Sequence, residues 1–89
     1  RESGRGRAAV HFYLGLVKIE LDKDEQALNH FDRTITARHT LFKDQAYWYS
    51  ALTLLKTGRR EEAEQRLTRI VLQDMWKSEK AREILKRFV

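Results

Sequence analysis

Three histidines and a pair of glutamates are the side chains of this chain whose types are suited to acid–base or metal chemistry. The histidines are His11, His30 and His39, and no two of them have the four-residue spacing that places metal ligands on one face of a helix. Glu61 and Glu62 lie where a helix is predicted to begin, and carboxylates there stabilise the positive end of the helix dipole. Catalysis requires a base held beside an acid or a nucleophile, and the sequence indicates no such pair. We therefore expect a non-enzymatic protein with no catalytic residue, no metal and no cofactor.

The composition fits one small helical domain. The chain has 89 residues, of which 42% are apolar and 35% are charged, with no proline and no cysteine. This balance suits amphipathic helices and is too apolar for a disordered chain. The absence of cysteine leaves the compartment open between the cytosol and the periplasm. No apolar run approaches the ~18 residues of a membrane span, and since the chain starts at Arg1 with no signal peptide, a membrane anchor could only lie upstream.

The net charge of +5 raises the question of nucleic-acid binding. The opening stretch RESGRGR supplies three arginines against one glutamate, and we expect residues 1–6 to form a flexible basic tail. Its glycines lack the preceding strand and the lysine-serine ending of a phosphate-binding loop. Elsewhere charges of both signs mix along the predicted helices, whereas a phosphate-binding face requires a stripe of one sign. The charge pattern therefore favours a solvated surface, and no nucleic-acid partner is expected.

Four breaks divide the chain into five predicted helices. Asp22 and Asp24 are candidate N-caps of the second helix, with Glu25 at capping-box spacing from Asp22. Ser78 is a candidate N-cap for the last helix. Gly58 lies where a left-handed residue would end a helix. The predicted helices span roughly 7–21, 24–37, 42–57, 60–74 and 78–88.

The apolar faces of these helices alternate between broad and narrow. Apolar residues cover about 160° of the third helix and more of the first, but only about 100° of the second and the fourth. Broad helices must touch neighbours on more than one side, whereas narrow ones need cover on one face only. The alternation predicts an all-α stack of helical hairpins with an inner and an outer layer. The last helix has a narrow apolar side, which predicts a cap on the stack, with the first helix of a truncated third repeat as the alternative.

The two hairpins match each other at a spacing of 36 residues. Gly15 then falls on Ala51, and Ala27 falls on Ala63. Small residues at these positions let two helix backbones approach closely. The stretch HFYLGLVKIELDKDEQALNHF, with Leu14-Gly15, Ala27 and Phe31 at characteristic spacing, resembles the tetratricopeptide repeat (TPR) family. The residues expected to pack the repeats are Leu14, Gly15, Ala27, Phe31, Tyr47, Ala51, Leu54, Ala63 and Leu67.

The resemblance implies a right-handed helical-hairpin stack, a TPR-like α-solenoid of two repeats plus a C-terminal capping helix. The repeats would occupy residues 7–41 and 42–76, and the capping helix residues 77–89. The stretch AYWYSALTLLKTG, followed by AREILKRF, looks loosely similar to the C-terminal modules of bacterial TPR proteins. Members of the family act as adaptors and scaffolds in protein–protein interaction. The chain is therefore expected to bind a protein or peptide, or a second copy of itself.

In TPR proteins the first helix of each repeat lines a concave face that receives an extended peptide or a helix. The residues that the resemblance places on this face are Phe12, Leu16, Ile19, Gln45, Trp48, Leu52, Leu55 and Lys56. Phe12 and Leu16 stand where polar groups of the family's carboxylate clamp would be, so that clamp is absent. The apolar row has two interpretations. It is either core, covered by other helices or by a second copy, or it is a groove for an apolar peptide or an amphipathic helix.

The helical period also suits a second family, the pentatricopeptide repeats, which bind single-stranded RNA. The positions that read bases in that family are usually polar. Here they are the apolar residues Phe12, Leu16, Trp48 and Leu52. RNA binding is therefore the alternative, and protein binding is the interpretation that the sequence favours.

Overall fold

Helices make up most of residues 4–38 and 40–88, which a computed structural model of the chain describes. No strand occurs in these residues, so the predicted all-α class is confirmed. The α-helices are α1 (Gly4–Glu20), α2 (Asp24–Thr36), α3 (Lys43–Lys56), α4 (Arg60–Leu72) and α5 (Ser78–Leu85), and a 3-10 turn (Lys86–Phe88) follows α5. Helix α1 begins earlier than predicted, so residues 4–6 of the expected basic tail are helical, while residues 1–3 lie outside the described part.

The same backbone turn ends α1, α3 and α4. Asp22, Gly58 and Asp74 have φ values of 59°, 81° and 51°, and the next residue in each case donates its N–H to the carbonyl five residues earlier. This is the Schellman arrangement, and it confirms the cap predicted at Gly58. The prediction for Asp22 was wrong, because this residue closes α1 instead of capping α2. The turns at Asp22 and Gly58 are 36 residues apart, as the sequence repeat requires.

Successive helices pack against each other along the chain, α1 on α2, α2 on α3, α3 on α4 and α4 on α5. The molecule measures 48 × 28 × 16 Å, which is an elongated and flat shape. The even-numbered helices α2 and α4 bury one stripe each. Helix α3 buries six residues because it has neighbours on several sides. This agrees with the narrow faces predicted for α2 and α4 and the broad face predicted for α3, whereas α1, predicted to be the broadest, buries Ala8 and Phe12 and leaves much of its apolar face exposed.

The small residues of the repeat lie where helices approach closely. A Cβ atom added to Gly15 would lie 2.5 Å from Cε1 of Phe31, whose side chain is fully buried. Ala27, Ala51 and Ala63 are also fully buried. The predicted packing residues Phe31, Leu54 and Leu67 are in the core. Tyr47 is half-buried. Leu14 is 37% exposed and packs less than expected.

Helix α5 covers the end of the stack formed by α3 and α4. Ala81 on α5 is fully buried in the same core cluster as Trp48, Leu67 and Met75. Met75 therefore fills the space under this helix. Trp76 does not, because it is 41% exposed.

Ion pairs tie the first hairpin to the second. Lys56 pairs with Asp22 and Asp24, both at 3.3 Å, Arg59 with Glu25 at 3.0 Å, and Arg66 with Asp32 at 2.7 Å. We call this set the ion-pair ladder. Arg66 also donates a hydrogen bond of 2.8 Å to the hydroxyl of the buried Ser50, so one guanidinium links α2, α3 and α4. Hydrogen bonds to the two aspartates raise the pKa of Lys56, and one to Glu62 raises the pKa of Arg59.

Candidate functional site

Two depressions lie on either side of α3. The first, the α1–α3 pocket, has a volume of about 350 Å³ and is lined by Leu16, Val17, Ile19, Glu20 and Tyr49. The second, the α3–α5 pocket, has a volume of about 540 Å³ and is lined by Trp48, Glu79, Lys80, Glu83, Ile84 and Arg87. The odd-numbered helices thus border one another across open pockets. The even-numbered helices α2 and α4 are joined by an ion pair of the ladder, Arg66 with Asp32.

The α3–α5 pocket has an apolar floor and a charged rim. Trp48 is 7% exposed and packs with the core under α5, and Ile84 is partly buried beside it. Glu79 and Glu83 provide negative charge on the rim, and positive charge comes from Lys80 and from Arg87 near the end of the chain. A ligand in this pocket would meet an indole and an aliphatic side chain below and charges of both signs around it.

The α1–α3 pocket is supported by an aromatic cluster. The ring of Tyr49 has its centroid 6.2 Å from that of Phe12 and 6.3 Å from that of Phe31. Phe42, in the connection before α3, stacks on Phe12 with a centroid distance of 4.9 Å and an interplanar angle of 10°. Because these rings contact each other from three helices and a connection, Tyr49 is held in a fixed position at the pocket. Ring pairs of this kind add about 0.5–1.5 kcal/mol each beyond the area that they bury.

The structure divides the predicted groove residues between core and surface. Phe12 and Trp48 are core residues, so the interpretation as core holds for these two. Phe42 covers Phe12 and α5 covers Trp48, so the chain itself buries these two side chains. Leu16 and Ile19 line the α1–α3 pocket. The partly buried side chains of Leu52 and Leu55 pack against the core.

The two polar residues predicted for the groove differ in their partners. The Lys56 ammonium is held by Asp22 and Asp24, and so it already has two carboxylate partners within the chain. Gln45 Oε1 is buried and, among the described residues, is the only buried side-chain polar atom without a hydrogen-bond partner. Such an atom costs about 1–3 kcal/mol of stability.

The histidines form a pair that sequence spacing did not reveal. His11 and His30 lie on adjacent helices with their Nδ1 atoms 2.9 Å apart and their rings stacked at 5.2 Å. One Nδ1 must carry a proton and the other must accept it. Burial, followed by the charge of His11, lowers the pKa of His30. Within residues 4–38 and 40–88 no three side chains from histidine, aspartate and glutamate come together as metal ligands. His39 lies outside the described residues.

An apolar face of α1 is exposed, although sequence reasoning expected this helix to be covered nearly all round. Its members follow helical spacing and are 37–56% exposed. They are Val10, Tyr13, Leu14 and Val17 on α1 and Leu21 directly after its last residue, and we call them the α1 stripe. The broad apolar face of α1 was visible in the sequence, but which half of it stays exposed depends on where α2 and α3 pack.

Comparisons with known proteins give no relative for this chain. No family model, no curated protein and no solved structure matches it. A search of the described helices finds none with the length and apolar character needed to cross a lipid bilayer. The function must therefore be argued from the pockets and surfaces themselves.

Proposed function

We propose that the chain is a non-enzymatic protein–protein interaction module, a right-handed TPR-like stack of two helical hairpins capped by α5. It binds a partner peptide or helix on the side where α1, α3 and α5 border one another. The observation that carries the proposal is the pair of pockets flanking α3, each with an apolar floor that includes an aromatic ring. Apolar grooves of this kind accept anchor side chains from an extended peptide or an amphipathic helix.

The arrangement of the pockets defines what the ligand must offer. Trp48 and Tyr49 are consecutive on α3, so they project about 100° apart around its axis and the pockets lie on its two flanks. Because a helix with its side chains is about 10–12 Å wide, a ligand that fills both pockets needs two apolar side chains roughly 10 Å apart. An extended peptide provides this spacing about three residues apart. A helix provides it about seven residues apart.

The charges around the α3–α5 pocket favour a protein ligand over a polyanion. RNA binding depends on a surface of positive charge that neutralises phosphates. Here Glu79 and Glu83 stand beside Lys80 and Arg87, so a phosphate chain would meet two carboxylates together with the two cations. A peptide with side chains of both signs can complement all four. Complementary charges at the rim of an interface contribute mainly to specificity and association rate.

A displayed library of random peptides, selected against the immobilised chain, tests the proposal. We expect enriched peptides to share two apolar positions at a spacing of about three or seven residues. Glu83→Arg reverses one charge on the rim of the α3–α5 pocket and should weaken the enriched peptides about tenfold. The matched control is Glu64→Arg, which makes the same charge change at an exposed position of α4 and should leave binding unchanged. Circular dichroism of both variants should match that of the parent chain.

Two results would overturn the proposal. One is that no peptide is enriched, or that Glu83→Arg and Glu64→Arg change the binding of enriched peptides equally. The other is retention of single-stranded RNA in moderate salt with an affinity above that of any peptide. The second result would support the pentatricopeptide-like alternative.

A further inference from the structure

The α1 stripe is an apolar surface that lies outside both pockets except at Val17, which also lines the α1–α3 pocket. It runs along α1 at positions 10, 13, 14, 17 and 21, which is the spacing of one continuous helix face. Its five side chains are on average about half exposed, and at on the order of 200 Å² for a large side chain the stripe presents roughly 500 Å² of apolar surface. Patches of this size are at the upper end of those on monomeric proteins and are often functional.

The second hairpin shows what the same face does when another helix covers it. Val10, Leu14 and Val17 correspond at the 36-residue spacing to Ala46, Ser50 and Thr53 of α3, which are 0–3% exposed. Helix α2 packs against α3, and Ala46 shares a core cluster with Ala27 and Phe31 of α2. Those residues are small, so α2 approaches α3 closely. The large side chains of the stripe would hold a neighbouring helix farther away, because the interaxial distance is set by the side chains at the contact. The stripe therefore fits a helix that also presents large apolar side chains.

Among the described residues, the chain has one helix face with large exposed apolar side chains, and a second copy of the chain would present the same face. The other exposed large apolar residues, Leu41, Leu72 and Trp76, are separated from one another in the chain and form no helical stripe. The outer face of α5 is charged, and its exposed residues are Glu79, Lys80, Arg82 and Glu83. The matching surface is therefore the α1 stripe of the second copy, which has the same length and the same apolar character.

We infer that two copies of this chain associate by packing their α1 stripes against each other, antiparallel, about a two-fold axis. Such a contact is self-complementary and closes at the dimer. In the register that sets Leu14 against Val17 of the second copy, Val10 meets Leu21. The inference does not rest on the proposed peptide binding, because Val10, Leu14 and Leu21 lie outside both pockets. Val17 belongs to the stripe and also lines the α1–α3 pocket.

Charge favours the antiparallel arrangement. The first turn of α1 contains no acidic residue, and Arg7 is exposed there, while the last turn contains both Lys18 and Glu20. Antiparallel packing keeps the basic beginnings of the two α1 helices apart and brings each towards an end that carries charges of both signs. It also sets the positive end of each helix dipole near the negative end of its neighbour. Parallel packing would place the arginines of the two copies side by side.

The area of the contact indicates the affinity of the dimer and hence the concentrations at which dimers should be sought. Two stripes together bury on the order of 1,000 Å² of apolar surface, and the polar side chains beside them bring the total to about the lower end of specific interfaces. We therefore expect a dissociation constant of roughly 1–100 µM. Sedimentation velocity over about 1 µM to 1 mM should show the mass rising from 10.6 kDa to twice that value.

Charged substitutions in the stripe test its role. Leu14→Glu lies near the two-fold axis and should weaken the dimer at least about 100-fold, because each interface receives two buried charges of the same sign. Val10→Glu, at a position that is more than half exposed, should weaken the dimer about tenfold or more. If Leu14→Glu lowers the helicity of the chain, Val10→Glu still tests the inference. Leu72→Glu makes the same change at a 78% exposed position away from the stripe and should dimerise like the parent. A monomer at 1 mM, or equal dimerisation of all three variants, overturns the inference.

Cysteine cross-linking tests the orientation, and the natural chain contains no cysteine to interfere. Val10→Cys and Leu21→Cys variants, mixed and oxidised, should form a disulfide-linked dimer. Each variant oxidised alone should remain uncross-linked, because antiparallel packing keeps identical positions far apart. Self-linking of Val10→Cys without mixed dimers would refute the antiparallel register.

Discussion

Replacing Gly15 by alanine should destabilise the protein, although alanine is the better helix former. The gain in helix propensity is about 1 kcal/mol. Against it, the new Cβ would lie 2.5 Å from Cε1 and 2.8 Å from both Cδ1 and Cζ of Phe31. The Phe31 ring is fully buried and contacts the rings of Phe12 and Tyr49, so it has little freedom to move. Overpacking of a core costs about 1–3 kcal/mol, and three atoms inside contact distance place this case in the upper half of that range.

The expected net loss is therefore about 1–2 kcal/mol, which corresponds to a fall in melting temperature of about 4–8 °C per kcal/mol for a domain of this size. Urea unfolding measures it as a shift of the midpoint at constant slope. Ala51→Gly provides the matched control in the second hairpin. This substitution lowers the helix propensity at position 51 without introducing a clash, which should cost about 1 kcal/mol. The space left by the lost methyl group should add somewhat to that cost.

The second hairpin also supplies a rescue. At the equivalent positions it has Ala51 and Leu67, which are both fully buried in one core cluster. Phe31→Leu alone should cost about 1 kcal/mol or more for the space that it leaves, but in Gly15→Ala/Phe31→Leu the new methyl group occupies part of that space. We expect the double variant to be at least about 1 kcal/mol more stable than additivity predicts. Additive losses, or a Gly15→Ala protein as stable as the parent, would contradict the reasoning.

Four further predictions follow from single positions. Gly58→Ala meets no atom within 4 Å but keeps a φ of 81°, so it should cost about 1 kcal/mol in urea unfolding through backbone strain alone. Gln45→Met removes the unpartnered buried oxygen and should stabilise the fold by about 1 kcal/mol, measured as a rise in melting temperature. Arg66→Met breaks the link between three helices and should cost about 1 kcal/mol, a value reduced because the side chain is 26% exposed. Burial, together with His11, lowers the pKa of His30 below its ordinary value of 6.5. The unfolded chain therefore takes up a proton at this histidine more readily than the folded protein does. Stability should therefore fall as pH drops below about 6.5, and His30→Gln should reduce that fall in urea titrations at several pH values.

The helices were predictable from the sequence because their signals are local. The end of α3 follows from Gly58 alone, since a glycine with positive φ closes the helix. The starts of α2, α4 and α5 were predicted to the residue. The caps themselves were less predictable. Ser78 was expected to cap α5, but Lys77 occupies the N-cap with φ of 70°, and the Ser78 hydroxyl donates to Asp74. Glu25 pairs with Arg59 and forms no capping box, because Asp22 closes α1 and Lys23 occupies the N-cap of α2.

The pockets could be predicted only in part, because they depend on contacts between distant residues. The alternation of broad and narrow faces indicated that α1 and α3 share a side, and Leu16 and Ile19 do line a pocket there. Sequence spacing gave no sign that Phe42 would stack on Phe12 and bury it. Nor did it show that α5 would cover Trp48 and surround it with charged residues. Both outcomes are set by the angle between helices that are far apart in the chain.

The ion-pair ladder and the pockets lie between different pairs of helices. The two hairpins are therefore joined by charges along one edge, and the pockets lie away from that edge. Arg59 and Arg66 hold one edge of the hairpin pair at 2.7–3.0 Å from their carboxylates, while the pocket edges have no comparable tie among the described residues. Rotation of one hairpin against the other would thus open or narrow the α1–α3 pocket, which lies between the hairpins, and would pivot on the charged edge. Dissolved salt screens such charges over about 8–10 Å, so ionic strength should change the width of the α1–α3 pocket. An uncharged ligand that touches no ion pair would then still bind with a salt-dependent affinity.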